Sequence, residues 1–306
     1  MKFADNITEL IGNTPLLKLN TLSRYGEALV KCEFLNPISV KDRPVYNIIT
    51  EAERKGLIKP GDTLIETTSG NTGMATAYIA AVKGYQAILC MSEIQSIERR
   101  KILQAFGAKL VLSPASEGTA GARKMMKEIL KKHPEYFYVG QHVNQDNPGA
   151  HYKTTGPELW RDTNGSIDIL VAALGTGGTI CGAGRYLKEK NPQIQLIAIE
   201  PESSPYISQG IFKPHKMMGT APGFVPDTLD KTLIDEIMLV KTTDAFAMCR
   251  TLARTEGILV GISSGAVACV LQQPALQSSN KGKVIVGVMA DSGQRYLSVE
   301  GLFSGL

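Results

Sequence analysis

Short apolar runs of strand length alternate along this chain with longer segments whose apolar positions recur at helical spacing. Thr63–Glu66 predicts a strand, followed by a polar turn and an alanine-rich helix over Met74–Lys83. Gln86–Met91 predicts a second strand and Ile97–Phe106 a helix with basic residues on its outer face. Lys109–Ser113 predicts a third strand and Ala120–Lys132 a third helix. A strand–helix–strand rhythm of this kind calls for a parallel sheet covered by helices.

The rhythm resumes at the strand Ile167–Leu174, which is followed by a glycine-rich turn and a helix over Ile180–Lys190. Gln195–Ile199 and Lys283–Met289 are further strands, with a helix over Thr243–Thr255 between them. Gly140–Gly149, rich in Asn, Asp and Pro, reads as a passage between lobes. The expected architecture is α/β: two lobes of open, twisted sheets covered by helices, with a cleft between them. Residues 1–147 would contain the smaller, mobile lobe (roughly 42–147). Residues 148–306 would form the larger lobe, on which part of the N-terminal segment packs.

Length agrees with two lobes, since 306 residues exceed the size at which single cores stop growing. The net charge of +4, with no basic block, gives no indication of nucleic acid. No apolar run reaches the ~18 residues of a membrane span. The opening MKFADNITELIG lacks the apolar centre of a secretory signal, so the cytoplasm is the expected compartment. Cys32, Cys90, Cys181, Cys249 and Cys269 are scattered without a CxxC pair, and the histidines show no metal spacing. No disulfide framework and no metal site are expected.

Three features carry candidate chemistry. Gly175-Thr176-Gly177-Gly178-Thr179 lies where a buried strand hands over to a helix, a place where free backbone amides can receive a phosphate. It is neither a P-loop nor the dinucleotide fingerprint, and a tight connection is its plainer reading. Thr67-Thr68-Ser69-Gly70-Asn71-Thr72-Gly73 also joins a strand to a helix. Its hydroxyls, amide and glycines suit a carboxylate or other small anion, with an ordinary N-cap as the alternative. Lys41, in Asn36-Pro37-Ile38-Ser39-Val40-Lys41-Asp42-Arg43, would alone read as a solvated surface residue. Beside two anion cradles it becomes the amine that pyridoxal phosphate needs.

These residues belong to a longer resemblance. The chain is similar, nearly end to end, to the cysteine synthases (O-acetylserine sulfhydrylases) of the fold-type II pyridoxal-phosphate enzymes, a group that includes cystathionine β-synthase. The resemblance runs through Ile11–Leu16 (IGNTPL), SVKDR ending at Arg43, TSGNTG (Thr68–Gly73) and SIERRK (Ser96–Lys101). It continues through TTGPELW (Thr154–Trp160), GTGGT (Gly175–Thr179), GISSGA (Gly261–Ala266) and SGQRYLS (Ser292–Ser298).

The resemblance implies a two-lobed, tryptophan synthase β-like fold and pyridoxal 5'-phosphate as cofactor. Lys41 would carry the cofactor covalently, Asn71 would bind its phenolic oxygen and Ser292 would face its pyridine nitrogen. Gly175, Thr176, Gly177, Gly178 and Thr179 would hold its phosphate. Thr68, Ser69, Asn71, Thr72 and Gln141 would bind the substrate carboxylate. On local grounds Ser292 is equally a turn residue, and Gln141 equally a surface amide. The implied reaction is β-replacement, O-acetyl-L-serine plus sulfide giving L-cysteine plus acetate through an aminoacrylate. A homodimer is implied, and serine acetyltransferase is a candidate partner.

Other activities share the fold: condensation with homocysteine, β-elimination of cysteine releasing hydrogen sulfide, Ser/Thr dehydration, and non-catalytic capture of serine acetyltransferase. Intact Lys41, Asn71 and Ser292 speak against the last. The sequence departs from the group at Thr67, Met74, Pro44, Met91-Ser92-Glu93 and Ala290-Asp291. It also departs across Met217–Phe224, where a more glycine-rich loop is usual. The departures at the mouth bear on which nucleophile and leaving group enter.

Overall fold

Each of the predicted apolar runs forms a strand, and the strands sort into two sheets. The computed structural model describes residues 1, 3–68, 70–95, 97–275 and 277–303. The chain enters through β1 (Leu16–Lys18) and β2 (Glu27–Cys32), an antiparallel pair, and then α1 (Asp42–Arg54). Next come β3 (Thr63–Thr67), α2 (Asn71–Lys83), β4 (Gln86–Ser92) and α3 (Ile97–Ala105). β5 (Lys109–Ser113), α4 (Gly118–Lys132) and β6 (Phe137–Tyr138) complete a parallel sheet of order β5-β4-β3-β6.

The stretch read as a passage, Gly140–Gly149, turns and then enters α5 (Asp146–Lys153), which is followed by α6 (Thr155–Asp162). β7 (Ile167–Ala173), α7 (Gly178–Lys190), β8 (Gln195–Pro201), the one-turn α8 (Tyr206–Gln209) and β9 (Glu236–Val240) follow. The last elements are α9 (Thr242–Thr255), α10 (Ile262–Ala275) and β10 (Val284–Met289). β10 inserts between β2 and β7, giving the order β1-β2-β10-β7-β8-β9, parallel except at β1.

Alternation along the strands builds the larger core. Ile169 and Val171 of β7 join Ile197, Ile199, Val267 and Leu271 on the α9–α10 side of the sheet. Leu170 and Ala172 join Leu196, Ala198, Leu159 and Leu187 on the α6–α7 side. The smaller sheet does the same. Leu64 and Leu89 pack against Ile48, Ile49 and Ile79, while Ile65 and Cys90 pack against Ala122 and Met126. Each Leu, Ile, Val or Met among them contributes about 1.5–3 kcal/mol when fully buried.

α10 was not anticipated because apolar and small residues surround most of its length. Ile262, Ala266, Val267, Val270 and Leu271 are all buried, so no continuous polar face marks the helical period. α1 escaped for a different reason: it opens with Asp-Arg-Pro, a polar start. Pro44 fits there because the first helical turn does not need its missing N–H.

The parallel strands point their carboxyl ends into one region. β3 leads to Thr68–Asn71, β7 to Leu174–Gly178, and β10 to Ala290–Ser292. In open α/β sheets that edge is where ligands bind.

Candidate active site

Lys41 immediately precedes α1, on a segment held by backbone pairing. Val40 donates to the Ala290 carbonyl at 2.9 Å, and Ser39 forms an antiparallel bridge with Asp291. Asp42 reaches back to accept the amides of Ile38 (2.7 Å) and Ser39 (3.2 Å), closing the turn that presents the lysine. Among the described residues the Lys41 ammonium makes no hydrogen bond or ion pair. Burial pushes its pKa down, while the negative charges of Asp291 and Glu33 oppose that shift. A half-buried, unpartnered lysine is not the solvated surface residue of the plainer reading.

Beneath it lies a buried ion network that joins three of the sequence motifs. Arg43 places Nε and Nη2 on the two Glu33 oxygens and Nη1 and Nη2 on the two Glu158 oxygens, each at 2.7 Å. Lys31 adds a second cation to Glu158 at 2.8 Å, and Thr14 donates to Glu33 at 2.6 Å. IGNTPL, SVKDR and TTGPELW therefore meet as one scaffold under the lysine. Burial works to raise the Glu158 carboxyl, but hydrogen bonds and charge from Arg43 and Lys31 outweigh it and hold the group at about 2.

The turn after β3 opens α2 without a side-chain cap. The capping position is Gly70, and no side chain bonds to the helix start from there. The hydroxyl of Thr68 instead accepts the Gly70 amide at 3.3 Å, and that of Thr72 donates to the Gln141 side-chain oxygen at 2.6 Å. Among the described residues no Ser or Thr caps the helix as an ordinary N-cap would, which leaves its start able to receive an anion. Ser69 lies outside the described residues, as does Ser96 of SIERRK.

The turn after β7 opens α7 in the same way. Gly177 takes the left-handed conformation (φ +80°) and, as the capping residue, again offers no side chain to the helix. Its glycines also serve packing. A Cβ on Gly175 would collide with the Gly219 carbonyl, and one on Gly178 with the Asn147 side chain. Thr176 turns its hydroxyl inward, accepting the Gly178 amide at 3.2 Å and Asn147 Nδ2 at 3.0 Å. Thr179 faces His151, with 3.3 Å between its hydroxyl and Nε2. Burial, reinforced by Arg43, drops the His151 pKa to about 3, so its ring is neutral.

Gln141 is buried, not a surface amide, and it ties the turns together. Its amide N–H donates to Glu66 at 3.1 Å, and its carbonyl accepts Asn147 Nδ2 at 2.6 Å. Asn147 thus bridges Gln141 to Thr176. Asn71 donates to Asp291 at 2.6 Å, and the Ser292 hydroxyl accepts the Gln294 amide at 3.3 Å, capping a short turn. Asn147, Glu66 and Asp291 were not singled out from the sequence. Nothing local distinguishes a buried Asn, Glu or Asp from a surface one, although Asp291 stood out as a departure.

The geometry fits pyridoxal phosphate: an unpartnered lysine, two uncapped helix starts and glycines where a Cβ has no room. Comparison with known proteins agrees. The family model described as pyridoxal-phosphate dependent enzyme matches residues 7–291. A cysteine synthase of Staphylococcus aureus (strain N315) is 47% identical over 301 residues, covering 97% of this chain and 96% of that protein. The crystal structure of a cysteine synthase (OASS) from Entamoeba histolytica superposes with a TM-score of 0.96 at 41% identity, covering 99% of this chain and 91% of that one. A hydrogen sulfide-producing enzyme from Fusobacterium nucleatum superposes with a TM-score of 0.91 at 40% identity, covering 96% of this chain and 100% of that one.

Proposed function

The chain belongs to the pyridoxal-phosphate dependent enzymes, and on that footing we propose that it makes L-cysteine and acetate from O-acetyl-L-serine and sulfide. The observation that carries the reading is Lys41, half-buried and, among the described residues, without a partner for its ammonium, together with two helix starts whose capping residues are glycines. When bound, pyridoxal phosphate supplies an aldehyde for amines and a conjugated ring that takes up the electron pair left at Cα.

The rest is work for the protein's own groups. Lys41 carries the cofactor and, once the substrate's amine displaces it, is the base that takes the Cα proton. Its depressed pKa keeps more of it neutral and ready to do so. Gly175, Thr176, Gly177, Gly178 and Thr179 hold the phosphate at the start of α7. Asn71 binds the phenolic oxygen, and Ser292 offers the ring nitrogen a neutral hydroxyl where a carboxylate would hold a proton. Thr68, Ser69, Asn71, Thr72 and Gln141 receive the substrate carboxylate at the start of α2. The smaller lobe, roughly 42–147, closes over the substrate. A cytoplasmic homodimer, with a cleft open to the tail of a serine acetyltransferase, belongs to the same proposal.

A second reading is β-elimination of cysteine with release of hydrogen sulfide. It is favoured by the Fusobacterium neighbour and by the altered mouth, where Met218, Thr220, Ala221 and Pro222 replace a more glycine-rich loop. The two are separated by giving the purified enzyme O-acetylserine with sulfide, and separately cysteine alone. Fast cysteine formation in the first supports the synthase. Fast sulfide release in the second, with negligible synthesis in the first, replaces it with the lyase.

A further inference from the structure

Asp291 has no part in the machinery above, yet its place is heavily determined. It is 1% exposed, its backbone bridges Ser39, and its carbonyl accepts the Gly261 amide at 3.0 Å. One oxygen, Oδ2, accepts both Asn71 Nδ2 at 2.6 Å and the Tyr296 hydroxyl at 2.5 Å. The other, Oδ1, has no hydrogen-bond partner among the described residues and lies against Gly261, where a Cβ would collide with it. At the opposite end of the same amide, Arg295 Nη1 donates to Asn71 Oδ1 at 3.4 Å.

A primary amide has donors at one end and an acceptor at the other. A carboxylate facing the nitrogen and a guanidinium facing the oxygen permit only one orientation of the Asn71 amide. The turned-over form would set carbonyl oxygen against carboxylate and N–H against guanidinium. Two hydrogens sit on Nδ2, and Asp291 takes one.

We propose that Asp291, aided by Arg295, is the positioning residue for Asn71, holding its amide so that the second N–H remains for the cofactor's phenolic oxygen. The inference rests on the role given to Asn71 above. Asn71 sits on α2 of the smaller sheet and Asp291 follows β10 of the larger. The same contact therefore anchors the start of α2 across the cleft. Without the carboxylate the amide is free to turn over and oppose the phenolic oxygen with its own carbonyl.

The test is a double-mutant cycle read in cofactor affinity and in the absorption maximum of the bound cofactor. Pyridoxal phosphate is titrated into cofactor-stripped wild type, Asp291→Ala, Asn71→Ala and the double variant. Asp291→Ala and Asn71→Ala are each expected to weaken binding about tenfold and to shift the absorption maximum in the same direction. The double variant should be no weaker than Asn71→Ala alone. Asp291→Asn, which keeps an oxygen acceptor in the Oδ2 position, should stay within about threefold of wild type.

Additive losses in the double variant, or unchanged binding by Asp291→Ala, overturn the proposal. So does Asp291→Asn binding as poorly as Asp291→Ala. If Asp291→Ala does not fold, Arg295→Met frees the other end of the amide and must meet the same non-additivity with Asn71→Ala. Wild type that binds no pyridoxal phosphate would instead sink the functional reading itself. Asn71→Ala binding as wild type does would remove Asn71, and with it the positioning role, while leaving the reaction class intact.

Discussion

The Thr72 hydroxyl donates to the Gln141 side-chain oxygen at 2.6 Å, and this contact begins a chain that joins the turns before α2 and α7. From Gln141 the path continues through its carbonyl to Asn147 and from Asn147 to Thr176, at 2.6 and 3.0 Å. The turn that opens α2 and the turn that opens α7 are parts of one hydrogen-bonded unit.

That continuity gives Asn147 a measurable role. Asn147→Ala leaves the Gln141 carbonyl and the Thr176 hydroxyl without their shared donor in a buried place. The expected cost is about 1–3 kcal/mol of stability, with weaker retention of pyridoxal phosphate. Urea denaturation and cofactor titration read the two effects separately. Unchanged values in both would show that the path carries nothing.

The network under Lys41 is held by Arg43. Arg43→Ala leaves Glu33 and Glu158 buried with their main cation gone, and the expected loss is about 3–5 kcal/mol. Arg43→Lys should recover only part of it, because one ammonium cannot bond both carboxylates in parallel pairs. Denaturation midpoints of the two variants decide the matter.

Acid dependence follows from Glu158. Its folded pKa of about 2 lies below the ordinary 4.5, so its stabilising contribution is present above pH 4.5 and is lost as the pH falls toward 2. Stability measured across that window should fall with decreasing pH in wild type. In Glu158→Gln the slope from this group should vanish, at a lower stability throughout.

Ala221 adopts φ +41° while its side chain is buried. The left-handed conformation costs an L-residue roughly 1–2 kcal/mol, partly offset by the lower entropy of alanine in the unfolded chain. Ala221→Gly should raise stability by about 0.5–1 kcal/mol, readable as a higher thermal midpoint. A fall in stability would mean that packing of the methyl group outweighs the strain.

Lys41→Ala separates fold from chemistry. Among the described residues the ammonium has no partner, and burial disfavours it, so cofactor-free Lys41→Ala should be at least as stable as cofactor-free wild type. After treatment with pyridoxal phosphate and borohydride reduction it should carry no covalent pyridoxyl label where wild type does, and it should show no turnover. A covalently labelled variant would place the attachment elsewhere.

What the chain announces by itself is what depends on short-range pattern. β3, β4, β5, β7, β8 and β10 are apolar runs bounded by polar turns, and α2 and α7 follow two of them through glycine-bearing turns. Local composition therefore located both strand-to-helix turns, and their company drew attention to Lys41. α10 stayed hidden because a helix buried over most of its surface has no continuous polar face, and β10 gave no sign that it would insert between β2 and β7. Asn147, Glu66 and Asp291 became part of the site only through contacts with residues distant in sequence, such as Asn71 with Asp291. Strand and helix period act over a few residues and can be read from order alone. Burial and hydrogen-bond partners are properties of the packed chain, and they decided which polar side chains support the site.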